Sequence, residues 1–572
     1  MKRFYSTFTL FILSVMLISL HAQPKFAGKV QKGIFSINTY GKDGNLLHQG
    51  TGFYVGQNGE AVADYAVFKG AYKATVIDAS GKQTDIDCIL GADDTYSLVR
   101  FRVNTKGNTV LNMVSAPANK GSNAFALGYS NNGTGQSEQA AVTDTSIIDG
   151  KYAYYALGKK FDDKLIGSPV FNESGSLVGI LKAPMGEKSY VLDIRFKEVL
   201  KMEAIASRSA NVALSNIFIP KGLPDSAEES LVYLYFKSRN TSNEEYMDML
   251  NRFITSYPQN AEGYYRRATP LIDLQRFDDA EADLQKYLSL CTDKAKGNYS
   301  VASTILNKLT LQPQPAYDKW TYDVAIDYVD KALTLNQTET KEEAEKKNND
   351  IEYKILKAQI LRGKGDYDGA ISIYESLNQG ATKSPSFFYA ISLAKEGRGD
   401  SIGACIEPLD SALAMFPDPM PADAAEFVIR RGKLYANGGK YREAVADYNK
   451  YCYLMESKVN DVFYYERSQI EQNARMFQQA LDDINKSIEI APRYAIYRVE
   501  KAALTIRLGL YDECIEACQA AIALNPDIID SYRILGYAQL QKGDKANART
   551  NLQKAIDLGD ENAKTIMEKY MK

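Results

Sequence analysis

From Ala425 to Asp560 the chain repeats one pattern four times: a small residue, then a second small residue twelve positions later. The pairs are Gly432/Ala444, Ser468/Ala480, Ala502/Cys514 and Gly536/Ala548, and their first members lie 36, 34 and 34 residues apart. Small side chains at this spacing predict two antiparallel helices that cross closely, because a bulkier residue would push the axes apart. An apolar or aromatic residue follows one helical turn after each second member (Tyr448, Ile484, Cys518, Leu552). Pro492 and Pro526 fall where one helix must end before the next begins. A unit of this size cannot bury its apolar face alone. It gains stability by stacking on its neighbours, which commits the stretch to an all-α solenoid.

The pattern continues upstream. Ala268/Ala280 heads one unit, with Tyr264, Leu271, Leu284 and Tyr287 in the corresponding places, and Ala358/Ala370 heads another. Between them Ala325, Val329 and Ala332 keep a second helix, behind a proline-bearing insert from Gln312 to Trp320. Ala390 pairs with Cys405 at a longer spacing, across Gly397-Arg398-Gly399-Asp400. The charged stretch Thr338–Asn349 reads as solvated surface. Repeats are expected over 226–560, and 561–572 as a capping helix with a polar outer face. Pairing, period and terminal proline together resemble the tetratricopeptide repeat. The resemblance implies an array whose first helices line an inner, partner-binding face. Counting along those helices from the small residue, Tyr265, Gln359, Lys433, Tyr465, Gln469, Arg533 and Tyr537 are expected to project inward, and Tyr and Arg are frequent anchors at protein interfaces.

At 572 residues the chain is too long for one core, so a multidomain protein is expected. Residues 1–22 read as an export signal: Lys2 and Arg3 precede the apolar run Phe8–Leu20, and Leu20-His21-Ala22 offers a cleavage site. The run is short for a membrane span, and an uncleaved anchor is the alternative reading. Residues beyond it contain no stretch of membrane length. Periplasmic or extracellular placement in a bacterium follows as an expectation. The formal charge is −3, and loss of Lys2 and Arg3 would leave −5, which gives no global attraction for nucleic acid. Six cysteines are scattered rather than framed, and three take buried positions of the repeat, as small hydrophobes do. Cys514 and Cys518 share a helix face without a histidine to complete a metal site, and no phosphate-binding loop or calcium spacing is present. No cofactor or metal is expected.

Over 25–205 the pattern changes to short apolar or alternating runs between Gly-rich turns: Gly33–Tyr40, Gly52–Val55, Lys73–Asp78, Ser97–Val103, Ala124–Leu127, Tyr152–Ala156, Pro169–Phe171 and Leu177–Leu181. This predicts an all-β barrel or sandwich. Residues 206–225, with Pro220, Gly222 and Pro224, read as a linker. Four segments in order resemble trypsin-like peptidases of the HtrA type. They are Gly50-Thr51-Gly52-Phe53-Tyr54-Val55 with Asn58-Gly59 and Val62–Ala71; Ala92–Val99; Lys164–Phe171 with Gly175–Ile180; and Ser189–Ile194 with Val199-Leu200. The resemblance implies a trypsin-like double barrel ahead of the tetratricopeptide-repeat solenoid. It also places Ala66 where the family has its histidine base, Ser97 at the aspartate and Ile166 at the nucleophile. A serine nucleophile needs a base within reach and the base an orienting carboxylate. All three are replaced together, and Ser168 aligns with a glycine of the family's turn. His21 and His48 are the chain's two histidines.

A pseudopeptidase is therefore expected. Two function classes compete. One is an exported non-catalytic scaffold binding protein or peptide partners, such as components of an envelope complex, through the array and the inactive barrel; an assembly chaperone is a variant of it. The other is an envelope serine-type hydrolase with an unrecognised active site, which fold resemblance alone would suggest.

Overall fold

The computed structural model describes residues 23–130, 135–203 and 211–571. The expected export signal lies outside them, as does the start of the expected linker. Two compact units divide after Thr292.

Among the described residues of the first unit, twelve strands form two closed barrels. They are β1 (Ile34–Tyr40), β2 (Leu46–Tyr54), β3 (Glu60–Asp64), β4 (Lys73–Ile77), β5 (Gln83–Asp93), β6 (Leu98–Val103), β7 (Asn123–Leu127), β8 (Ser137–Ile148), β9 (Tyr152–Leu157), β10 (Pro169–Phe171), β11 (Leu177–Met185) and β12 (Lys188–Asp193). The first barrel runs β1-β2-β3-β6-β5-β4 and the second β10-β11-β12-β9-β8-β7, all antiparallel, so the same order occurs twice. Closure leaves neither sheet an edge. The β2–β3 hairpin turns at Asn58 (φ 56°) and Gly59 (φ 78°), the left-handed pair that matches strand twist. A Cβ on Gly59 would stand 2.1 Å from the carbonyl oxygen of Val103, so this position accepts only glycine.

Phe35, Ile37, Ala63, Phe68 and Phe101 fill the first barrel, and Tyr155, Leu157, Leu165, Val170 and Val191 the second. A third core, with Ile34, Phe53, Val62 and Leu98 on one side and Leu177, Ile180, Leu192 and Phe196 on the other, joins the barrels. The described part of the segment read as a linker behaves differently from a tether. Ala213, Ile217 and Ile219 enter the first barrel's core. Its backbone bonds to Gly70, Ala71 and Ile89, with Phe218 N donating to Ala71 O at 2.8 Å and Gly222 N to Ile89 O at 2.8 Å. The segment forms a strap on the barrel, where Phe218 stacks on Tyr72 with ring centroids 4.4 Å apart.

About 20 helices follow, paired as hairpins. In the first unit Ala261–Asp273 pairs with Phe277–Leu290. In the second unit the regular pairs include Glu343–Lys364 with Tyr367–Leu377, Pro385–Arg398 with Ile402–Leu413, Ala425–Asn437 with Tyr441–Leu454, Asp461–Asn473 with Phe477–Ile490, Ala495–Arg507 with Tyr511–Leu524, and Ile529–Gln541 with Lys545–Asp557. Glu561–Tyr570 closes the array. The small residues are where close crossing requires them: Ala444, Ala480, Ala502, Cys514 and Ala548 are fully buried. A Cβ on Gly536 would lie 2.7 Å from Leu552 Cγ. One pairing differs from expectation. Ser392, not Ala390, meets Cys405: Ser392 is fully buried and its Oγ donates to the Cys405 carbonyl at 2.6 Å.

Charge clasps reinforce the stacking. Arg267, Arg431 and Arg467, each one residue before the small position, fork onto Asp283, Asp447 and Asp483, each sixteen residues on, at 2.6–2.8 Å. The remaining nitrogen reaches the preceding hairpin, at Asn251, Asp410 or Asn449. Each arginine thus ties three helices. Planar bidentate geometry on a nearly buried carboxylate makes these bonds stronger than surface pairs.

Candidate functional site

Two regions bear on function. The first lies where the barrels meet. β3 ends at Asp64, whose Oδ1 accepts from Ala66 N at 3.0 Å and caps the short turn Tyr65–Val67. Ala66 is exposed on that turn. Ser97, in left-handed backbone (φ 51°) just before β6, donates from Oγ to the same Oδ1 at 2.7 Å. From the other barrel, Lys182 on β11 reaches across, and its Nζ meets Asp64 Oδ2 at 2.5 Å and also donates to the Ser97 carbonyl. The side chains of Lys182 and Asp64 are only 7% and 11% exposed. Burial pushes the Lys182 amine below its ordinary value, and Asp64 opposes that shift.

The turn Ile166-Gly167-Ser168 closes over this pair. Gly167 N donates to Leu181 O, and Leu181 N to Ser168 O, both at 2.9 Å. Gly167 adopts φ 82°, and a Cβ there would sit 3.5 Å from Asp64 Cβ. Ile166 is half-buried. Ser168 is fully buried, and its Oγ has no hydrogen-bond partner among the described residues. The three positions expected from the sequence, Ala66, Ser97 and Ile166, are thus brought round one point. That point holds an ammonium–carboxylate pair the sequence reading did not include. The signal was present: Lys182 ends the apolar run Leu177–Leu181, where a charge needs a partner. His48 lies exposed on β2, opposite Thr39 of β1. Among the described residues no group of three or more His, Cys, Asp or Glu could hold a metal ion.

The second region is the face of the first helices. In the first unit Tyr265 is half-buried against Tyr287, ring centroids 4.9 Å apart. In the second unit Gln359 is exposed and Tyr537 half-buried. Lys433 pairs with Glu466 at 3.8 Å, Gln469 donates to Glu500 at 3.0 Å, and Arg430 pairs with Glu396. Each of these links one first helix to the next, so the residues share a face. Tyr465 packs on Tyr497 at 5.2 Å. Arg533 is held by Asp560 at 2.7 Å and by Asp530, so its charge is already matched inside the fold.

Residues 499–563 match the family model described as tetratricopeptide repeat. Curated relatives include small glutamine-rich tetratricopeptide repeat-containing protein 2 of Saccharomyces cerevisiae, 27% identical over 93 residues, which are 16% of this chain and 27% of that protein. Tetratricopeptide repeat protein 13 of Homo sapiens is 26% identical over 193 residues, 33% of this chain and 22% of that one. A TPR repeat-containing protein of Methanocaldococcus jannaschii is 24% identical over 372 residues, 62% of this chain and 57% of its own. The match thus spans about a quarter of the first two relatives and just over half of the third. Among solved structures the Rv3671c protease of M. tuberculosis in its active form is similar, at 17% identity and a TM-score of 0.27, over 31% of this chain and 82% of that one. No helix among the described residues is long and apolar enough to cross a membrane. The tetratricopeptide-repeat match at residues 499–563 thus lies in an all-α repeat region that follows an N-terminal double β-barrel.

Proposed function

We propose that this chain is an exported, non-catalytic scaffold that binds protein or peptide partners through the first-helix face of its repeats and through a peptidase-like barrel without peptidase chemistry. One observation carries the reading: the Lys182–Asp64–Ser97 network occupies the point around which Ala66, Ser97 and Ile166 are gathered. A nucleophilic serine must lie beside a base and face its substrate. Ser168 is fully enclosed, its hydroxyl has no bonding partner among the described residues, and the neighbouring lysine is engaged by a carboxylate. Repeats of this kind commonly serve protein association, and the stacked helices supply a continuous surface that no single hairpin has.

Two measurements test the proposal on the full chain. A fluorophosphonate probe should leave it unlabelled, and casein should remain uncleaved. Labelling that disappears in Ser168→Ala would reverse the reading in favour of a hydrolase. Partners captured by crosslinking from an envelope fraction should be bound at least tenfold more weakly by Tyr465→Ala combined with Tyr537→Ala, the usual consequence of removing interface anchors. Lys486→Ala should leave them unaffected. Export is checked by fractionation of the native host.

A further inference from the structure

Near the middle of the second unit the first-helix face opens into a pocket of about 500 Å³, lined by Ala422, Ala425, Ile429, Tyr451 and Met455, with Asp423 and Glu426 among its walls. The five uncharged residues come from the start of the Ala425–Asn437 hairpin and the end of its second helix. Both carboxylates are exposed. Neither has an ion-pair partner among the described residues. Charges nearby are already matched: Lys458 with Glu456, Arg431 with Asp410 and Asp447, Arg430 with Glu396. Two carboxylates over an apolar floor leave one kind of side chain complementary in both respects, a long aliphatic stem ending in a cation.

The surface beside the pocket extends the argument. Glu426 and Ile429 recur in register as Val462 and Tyr465 on the next first helix and as Ile496 and Val499 on the one after. Val462 is 47% and Ile496 39% exposed, with Tyr494 beside them at 55%. Glu466 and Glu500 flank this apolar stripe, bound to Lys433 and Gln469. An acidic pocket therefore leads onto an uncovered apolar track. Neighbouring helix axes lie about 8–10 Å apart, and an extended chain advances about 3.3 Å per residue. Successive first helices thus meet every third residue or so of an extended segment.

Resting on the scaffold reading above, we propose that this face receives an extended segment of a protein partner. A lysine or arginine of that segment enters the Asp423/Glu426 pocket, and apolar residues at about three-residue intervals after it cover Val462 and Ile496. Electrostatic complementarity would set the register, and the apolar contacts would supply the buried area.

The test uses the full chain and three fluorescein-labelled heptapeptides, Arg-Ala-Ala-Leu-Ala-Ala-Ile and its versions with Gln or Glu in place of Arg, read by fluorescence polarisation. The Arg peptide should bind at least tenfold more tightly than the Gln peptide, and the Glu peptide most weakly. That preference should shrink with added salt. Asp423→Asn with Glu426→Gln should abolish the preference without moving the thermal midpoint, since both side chains are exposed. Val462→Ser with Ile496→Ser should weaken all three peptides alike. Equal binding of the three peptides, no binding of the Arg peptide at millimolar concentration, or a preference that survives in the Asp423/Glu426 variant would overturn the proposal. If captured partners still depend on Tyr465 and Tyr537 under those outcomes, the scaffold reading stands and only the chemistry of its ligand is wrong. If that dependence is absent as well, the scaffold reading falls with it.

Discussion

Replacing Lys182 by methionine tests the barrel junction directly. The substitution keeps the length of the aliphatic stem and deletes the ammonium that meets Asp64 Oδ2 at 2.5 Å. Asp64, with 11% of its side chain exposed, is then left holding only the Ser97 hydroxyl and the Ala66 amide. Removing one partner of a buried pair typically costs about 3–5 kcal/mol, because the other charge is left uncompensated. At about 2–4 °C per kcal/mol for a unit of this size, the barrel transition should fall by about 6–20 °C. Asp64→Asn added to Lys182→Met removes the stranded charge while keeping an oxygen for Ala66 and Ser97, so the double variant should lose only about 1–2 kcal/mol. Differential scanning calorimetry gives the transition, and hydrogen exchange of Val62–Ala66 reports whether the loss is local to the junction. A Lys182→Met transition within about 1 kcal/mol of wild type, or a double variant as unstable as the sum of its singles, would refute the assignment of a buried, coupled pair.

Glu471 supplies a pH dependence within the repeats. It is 3% exposed, with Arg467 at 4.0 Å already forked onto Asp483, and burial followed by repulsion from Asp483 pushes its carboxyl up to about 8. The unfolded chain releases this proton near 4.5, so stability should fall as pH rises between those values, by up to about 1.4 kcal/mol per pH unit. Glu471→Gln should flatten that slope in thermal melts from pH 5 to 8, and an unchanged slope would show that Glu471 is not the group responsible. Ala444→Trp should overpack the crossing against Gly432, where an added Cβ would already lie 3.1 Å from Tyr448 Cδ2, and cost about 1–3 kcal/mol in chemical denaturation. A midpoint equal to wild type would argue against the repeat register.

The helices were legible because their determinants are local and periodic. A close crossing demands a small residue on both helices, and a short hairpin turn fixes the distance between them, so Gly432/Ala444 or Gly536/Ala548 can be read without any tertiary knowledge. Where the turn lengthens, that ruler fails. Ser392 meets Cys405 after thirteen positions rather than twelve, while Ala390 offers another small residue two positions earlier. β1 is legible because its buried and half-buried residues alternate from Phe35 onward. β8 went unread because only Val142 of its twelve residues is buried, leaving no alternation to detect. The strap at 211–225 was read as a linker because proline and glycine mark a tether and a tightly turning wall segment alike.

The site at the barrel junction shows a different limit. Asp64 and Lys182 lie 118 residues apart, on different barrels, and no local pattern ties one to the other. What the sequence does display is a carboxylate at the end of the buried run Ala61–Ala63 and an ammonium at the end of another, Leu177–Leu181. A charge at the end of such a run is costly unless matched, and in this chain the matching charge comes from the other barrel. The Arg–Asp clasps follow the same logic over a shorter range. Arg267, Arg431 and Arg467 each precede a small residue, and Asp283, Asp447 and Asp483 each follow the second small residue by three. That spacing recurs in three of the hairpins and is absent from others, where Lys501/Ala517 and Leu535/Asn551 stand in the same places, so it is a weaker signal than the small residues. Asking which charges must be buried, and then pairing them across the fold, recovers both the clasps and the junction, whereas searching for familiar reactive residues recovers only the positions left vacant.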